Sequence, residues 1–116
     1  PTNTDPDKMH SILAPQFEAI GGNVPETKGS KPMFIDPETP IIRAMQDTYN
    51  EITGLDTKPY TIGGGTYARA FKNCISYGLT MPGDKDMCHQ VDEYVEIENL
   101  ILGSKIYAEA IYELAK

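Results

Sequence analysis

Apolar residues recur at helical spacing in three stretches of the chain. In the first, Met9, Ile12, Leu13, Phe17 and Ile20 share one stripe, and Asp5-Pro6-Asp7 ahead of them supplies an acidic first turn with proline at the first helical position. Gly21-Gly22 closes this helix near Ile20, and Pro15 inside it is expected to kink or weaken it. A second helix opens at Asp36-Pro37-Glu38-Thr39-Pro40, with Thr39 as cap. It continues through Ile41, Met45, Tyr49 and Ile52 and stops at Gly54. The third, marked by Ile97, Leu100, Ile101, Ala108, Ile111, Tyr112 and Leu114, is a C-terminal helix of about five turns.

The segments between these helices read differently. Residues 23 to 35 hold proline, glycine and lysine with few consecutive apolar residues, which suits a short or edge strand with the loop Gly29-Ser30-Lys31-Pro32. The internal boundary is expected here. Lys58 to Ile62 reads as a strand running into Gly63-Gly64-Gly65, Tyr67 to Lys72 as a short helix leaving them, and Cys74 to Thr80 as a second strand. Helices alternating with strands in this order predict a layered α/β architecture.

Length and charge narrow the picture. At 116 residues, 40% of them hydrophobic, the chain is long enough for one ordinary core and too short for two. A formal charge of −7, with only 10 lysines and arginines, argues against nucleic-acid or anionic-membrane partners, because either needs a clustered basic face. Cys74 and Cys88 form no CxxC pattern and follow no secretory segment, so a reduced, cytoplasmic setting is expected rather than a disulfide. No apolar run approaches the ~20 residues that span a bilayer. The first residue is Pro1 and not methionine, as expected of a chain cleaved from a tag, a proteolytic piece or a segment cut from a longer protein.

Two polar segments carry the candidate chemistry. The turn Gly63-Gly64-Gly65-Thr66 allows close backbone approach and can aim N–H groups at a carboxylate or phosphate. It fits neither GxGxxG nor GxxxxGK[ST], so no dinucleotide or P-loop nucleotide follows. The same glycines can equally serve a tight strand-to-helix connection needing positive φ, with Thr66 capping the next helix. Arg69, one turn after Thr66, can meet a carboxylate ligand or pair with a neighbouring acid. His89 lies in the polar run Pro82 to Tyr94 beside Asp86, Asp92 and Glu93, as a solvated loop residue or a metal donor. A zinc site needs three or four ligands, and composition alone offers no recognisable set. Cys88 is a poor partner for the same ion, since adjacent extended residues point apart. Glu93 can orient the His89 imidazole or act as a helix-entry acid. His10, among polar neighbours, reads as surface.

Taken in order, Gly63-Gly64-Gly65-Thr66-Tyr67-Ala68-Arg69, Met81-Pro82-Gly83, His89-Gln90-Val91-Asp92-Glu93-Tyr94 and the segment Ile106 to Leu114 resemble the C-terminal quarter of the PepV-type dipeptidases. These Xaa-His or carnosinase-like enzymes belong to the zinc peptidase family that includes aminoacylase and carboxypeptidase G. The resemblance implies an α/β fold in which residues 36–116 form the C-terminal part of a di-zinc catalytic domain, with helices packed on a sheet. Residues 1–35 would be the last helix and strand of an inserted lid domain.

It further implies that His89 is the C-terminal zinc-ligating histidine, oriented by Asp92 or Glu93, and that Gly64, Gly65 and Thr66 line the pocket for a dipeptide. The implied reaction is dipeptide hydrolysis by a water activated between two zinc ions. No catalytic residue would lie in this chain, since the other metal ligands and the general-base glutamate belong to the missing N-terminal half. A lid arginine that grips the substrate carboxylate would fall just before Pro1, and Arg69 does not replace it. An isolated piece of this kind is expected to be inactive and not to retain zinc. It is also expected to expose apolar surface and self-associate as a homodimer. The alternative is an α/β binding or self-association module without chemistry.

Overall fold

The computed structural model describes residues 5–25 and 29–116. The chain divides into two units, Pro1–Phe34 and Ile35–Lys116.

In the first unit, α1 runs from Pro6 to Glu18, ending two residues short of the expected Ile20. The Asp5 carboxylate caps it by accepting the backbone N–H of Asp7 at 3.0 Å and of Lys8 at 3.5 Å, the reason an acid at this position starts a helix. At the other end Gly21 takes φ +81°, and the N–H of Gly22 returns to the Phe17 carbonyl at 2.8 Å. This left-handed closure favours glycine. Pro15 is accommodated within the helix. Its apolar stripe is mostly open: Met9, Ile12, Leu13, Phe17 and Ile20 are all exposed, and Ala14 is the buried residue. His10, expected at the surface, instead has its Nε2 atom buried, with no hydrogen-bond partner among the described residues.

The second unit is built on α2, Pro40–Thr53, packed against α3, Ile97–Ala115. The start of α2 is shaped by Asp36, whose carboxylate accepts the Glu38 N–H at 2.9 Å. Thr39 occupies the cap position, but its hydroxyl donates to the Asp36 carbonyl at 3.0 Å and caps no helix N–H. Gly54 ends α2 at φ +69°. The turn beyond it is clamped by Asn50, whose Oδ1 accepts the Thr57 N–H at 3.0 Å and hydroxyl at 2.9 Å. Its Nδ2 donates to the Thr57 carbonyl at 3.1 Å.

The segment 74–81 crosses both helices. Tyr77 donates its hydroxyl to the Met45 carbonyl of α2 at 2.8 Å, while its own carbonyl accepts the Tyr107 hydroxyl of α3 at 2.7 Å. The Tyr77 ring sits between Tyr49 at 6.5 Å and Tyr107 at 5.8 Å, centroid to centroid, in edge-on and tilted contacts worth more than their buried area alone. Burial pushes the Tyr77 phenol up to about 12, and the neighbouring Tyr49 and Tyr107 add to the shift. Leu79 presses on Gly103 so closely that a Cβ there would lie 1.7 Å from its Cδ2. Ile106, only 2% exposed, and Ala110 complete the covered face of α3.

One expectation is corrected here. The strands expected at Lys58–Ile62 and Cys74–Thr80, and in residues 23 to 35, are irregular chain wherever they are described; residues 26–28 lie outside the described residues. A strand exists only with a partner to take its backbone hydrogen bonds, and no ladder forms among the described residues. The C-terminal helix expected from the apolar periodicity is present as α3, and which of its faces is covered is decided by packing. Ile97, Leu100, Ile101, Ile111, Tyr112 and Leu114 are exposed, while Gly103, Ile106 and Ala110 are buried. The helix carries apolar residues on both its covered and its open side.

Candidate functional site

The glycine turn leads into a short 3₁₀ turn, Tyr67–Ala70, in place of the expected helix to Lys72. Thr66 caps it, its Oγ1 accepting the Ala68 N–H at 3.3 Å, and Ala68 is buried beneath. Ser76 donates its hydroxyl to the same Oγ1 at 2.9 Å. With both lone pairs engaged, the Thr66 hydroxyl proton is what remains to donate. Ser76 escaped the sequence reading because it lies ten residues from Thr66 and forms no local motif with it.

None of Gly63, Gly64 and Gly65 has a positive φ, so the conformational reason for a glycine turn does not operate here. At Gly65 there is a steric reason: a Cβ would lie 3.1 Å from Nη1 of Arg69, whose side chain folds back over the turn. At Gly63 and Gly64 a Cβ would meet nothing within 4 Å among the described residues. Nothing inside the described chain demands glycine at these two positions.

The histidine segment is a series of local turns. Gly83 at φ +93° and the Asp84 N–H donating to the Met81 carbonyl at 3.0 Å close the first. The Asp84 carboxylate accepts the Met81 N–H at 2.8 Å and the Asn99 side-chain amide of α3 at 2.7 Å, which ties the loop to the helix. Asp86 then accepts the Cys88 N–H at 3.0 Å. A hydrogen bond to Asp86 and its charge push the exposed Cys88 thiol up, away from thiolate character.

The Gln90 N–H donates to the Met87 carbonyl at 3.2 Å, placing His89 third in a four-residue turn with φ +61°. The Glu93 carboxylate accepts the His89 backbone N–H at 3.3 Å. Glu93 is thus seen gripping the main chain of His89, and it is no helix-entry acid, because α3 starts four residues later at Ile97. Asp92 is also left-handed, at φ +58°. An open pocket of about 270 Å³ adjoins this loop, bordered by Leu79, Asp84, Asp86, Cys88, Glu93 and Asn99; His89, Gly64, Gly65 and Thr66 do not border it.

Among the described residues no group of three or more histidine, cysteine, aspartate or glutamate side chains converges as a metal site. His89 by itself does not make such a site. No described helix is long and apolar enough to cross a membrane.

The sequence pattern of peptidase family M20/M25/M40 matches residues 15–113, and the chain belongs to this family. It is 43% identical over 91 residues to the "Putative dipeptidase YtjP" of Bacillus subtilis (strain 168), an alignment covering 78% of this chain and 20% of that protein. It is 37% identical over 99 residues to a "Putative dipeptidase" of Staphylococcus epidermidis, covering 85% and 21%. A Staphylococcus aureus (strain USA300) protein named "Putative dipeptidase SAUSA300_1697" is 33% identical over 108 residues, covering 93% and 23%. The chain spans about a fifth of the length of these relatives. No solved structure matches it. The family fits an α/β peptidase fold, to which the described residues contribute helices alone.

Proposed function

We propose that this chain is the C-terminal part of a cytoplasmic, zinc-dependent dipeptidase, and that it is inactive by itself. The reading rests on family membership and on relatives named as dipeptidases that are about four times as long. Residues 1–35 would be the end of the lid and 36–116 the end of the catalytic domain. Gly64, Gly65 and Thr66 would border the dipeptide, offering backbone N–H groups and one hydroxyl that position the substrate and take no part in bond chemistry. The observation that carries this assignment is the open space at Gly64: a glycine with neither a packing nor a conformational reason among the described residues suits a surface that a ligand's atoms approach closely. His89 would donate one imidazole to a metal whose remaining ligands lie elsewhere in the parent. No catalytic step is assigned to residues of this chain.

A peptidase assay on the purified chain with a panel of dipeptides and added zinc tests the reading. No turnover is expected. Hydrolysis at a rate typical of metallopeptidases would mean that the 116 residues form a complete active site.

The exposed apolar faces favour a second reading, self-association. Ile97, Ile101 and Ile111 on α3 are more than half exposed, a density of open apolar side chains that ordinarily marks a contact surface. Size-exclusion chromatography with light scattering should show a homodimer or larger species. A monodisperse monomer at high concentration counts against it.

A further inference from the structure

The left-handed backbone at His89 calls for an explanation. A β-carbon at φ +61° crowds the following carbonyl oxygen, a strain that glycine escapes. Asparagine and aspartate offset this with a short side chain that bonds the local backbone, and histidine shares their tolerance of the region, so it adopts this conformation where neighbouring contacts select it. Two contacts hold the conformation. The Gln90 N–H closes the turn on the Met87 carbonyl, a bond that constrains all four residues without selecting the hand of the third. The Glu93 carboxylate, reaching back four positions, takes the His89 N–H itself. In the left-handed conformation that N–H faces the carboxylate. Asp92, also left-handed, brings the chain round so that Glu93 can reach.

We propose that Glu93 is a positioning residue that acts through the His89 main chain: its carboxylate holds the left-handed turn and so fixes the direction from which the imidazole leaves the backbone. This rests on the reading of His89 as a donor. It differs from the usual second-sphere role, in which an acid bonds the imidazole's other ring nitrogen. Here the acid sets the Cα–Cβ direction and leaves both ring nitrogens uncommitted to it. The role requires an acceptor at the end of a side chain of this length, so glutamine serves and alanine does not.

The test uses the whole 116-residue chain, isotope-labelled, as wild type, Glu93→Gln and Glu93→Ala. Two quantities are read at His89 by NMR: the intraresidue HN–Hα NOE, which is intense at positive φ, and the rate of amide exchange with water. Wild type and Glu93→Gln should share an intense NOE and slow exchange. Glu93→Ala should lose the NOE and exchange faster, by about tenfold for a lost hydrogen bond to a charged group, while NOEs between Tyr77 and Tyr107 stay unchanged. Retention of the left-handed NOE and slow exchange in Glu93→Ala overturns the proposal, as does failure of Glu93→Gln to preserve them. Neither quantity depends on metal. A separate titration with Zn²⁺, monitored on the His89 imidazole resonances, reports on the donor reading alone.

Discussion

The scaffold of the second unit and the loops that carry its candidate site are held by opposite means. In the scaffold, contacts join residues about thirty positions apart: Tyr77 with Met45, and Tyr107 with Tyr77. The rings are packed, and partial burial raises the phenols of Tyr49 and Tyr77. In the loops the bonds are mostly two to four residues long, Asp86 to Cys88 and Glu93 to His89, and the residues are exposed. Asp84 is the crossing point, bonding Met81 on one side and Asn99 of α3 on the other. The long-range contacts of this unit therefore gather in α2, α3 and the segment 74–81. The site residues are carried by this scaffold and contribute little in return.

The largest effect should come from filling the Gly103 contact. Gly103→Val drives side-chain atoms into Leu79, and overpacking of this kind should cost about 1–3 kcal/mol in denaturant unfolding; adding Leu79→Ala should recover part of it. Asn50→Ala comes next. It strips the Thr57 N–H and carbonyl of their clamp and should cost about 1–2 kcal/mol, as expected for partly buried polar groups left unpaired.

A pH titration of the fold sharpens the same contrast. The folded Tyr77 phenol holds its proton up to about 12, against 10.0 for the ordinary group. The unfolded chain therefore loses protons first as the pH rises. The contribution of Tyr77 is complete below pH 10 and lost as the pH passes through about 12. Denaturation midpoints, read with phenolate absorbance, should fall across that window. The smallest effect belongs to the loop: His89→Ala should change stability by less than about 0.5 kcal/mol. A loss comparable to that of Gly103→Val would mean that the histidine loop is part of the scaffold.

How much of this was legible in the sequence follows from the range of the forces involved. Asp5, Gly21 and Gly54 announced helix ends correctly, because capping is settled within a few residues. The order of motifs from Gly63 to Leu114 identified the family, which the matched segment bears out. Other features were not readable. Whether Cys74–Thr80 becomes a strand depends on a partner, and the periodicity of α3 cannot rank its two apolar faces. Glycines at 63 to 65 suggested positive φ, yet the backbone there does not adopt it. Glu93 was recognised as a candidate for orienting His89, but no spacing rule distinguishes a carboxylate that bonds the imidazole from one that bonds its main-chain N–H.

The sequence by itself determined where the helices start and stop, the family, and which polar segments deserve a chemical reading. Those properties follow from local conformational preference and residue identity. The tertiary structure alone decided that Gly103, Ile106 and Ala110 form the covered face of α3, that Ser76 and Asp84 support the two candidate segments, and that His89 sits in a left-handed turn held by Glu93. Each depends on which surfaces and polar atoms are brought within contact distance, and a linear pattern carries no record of that.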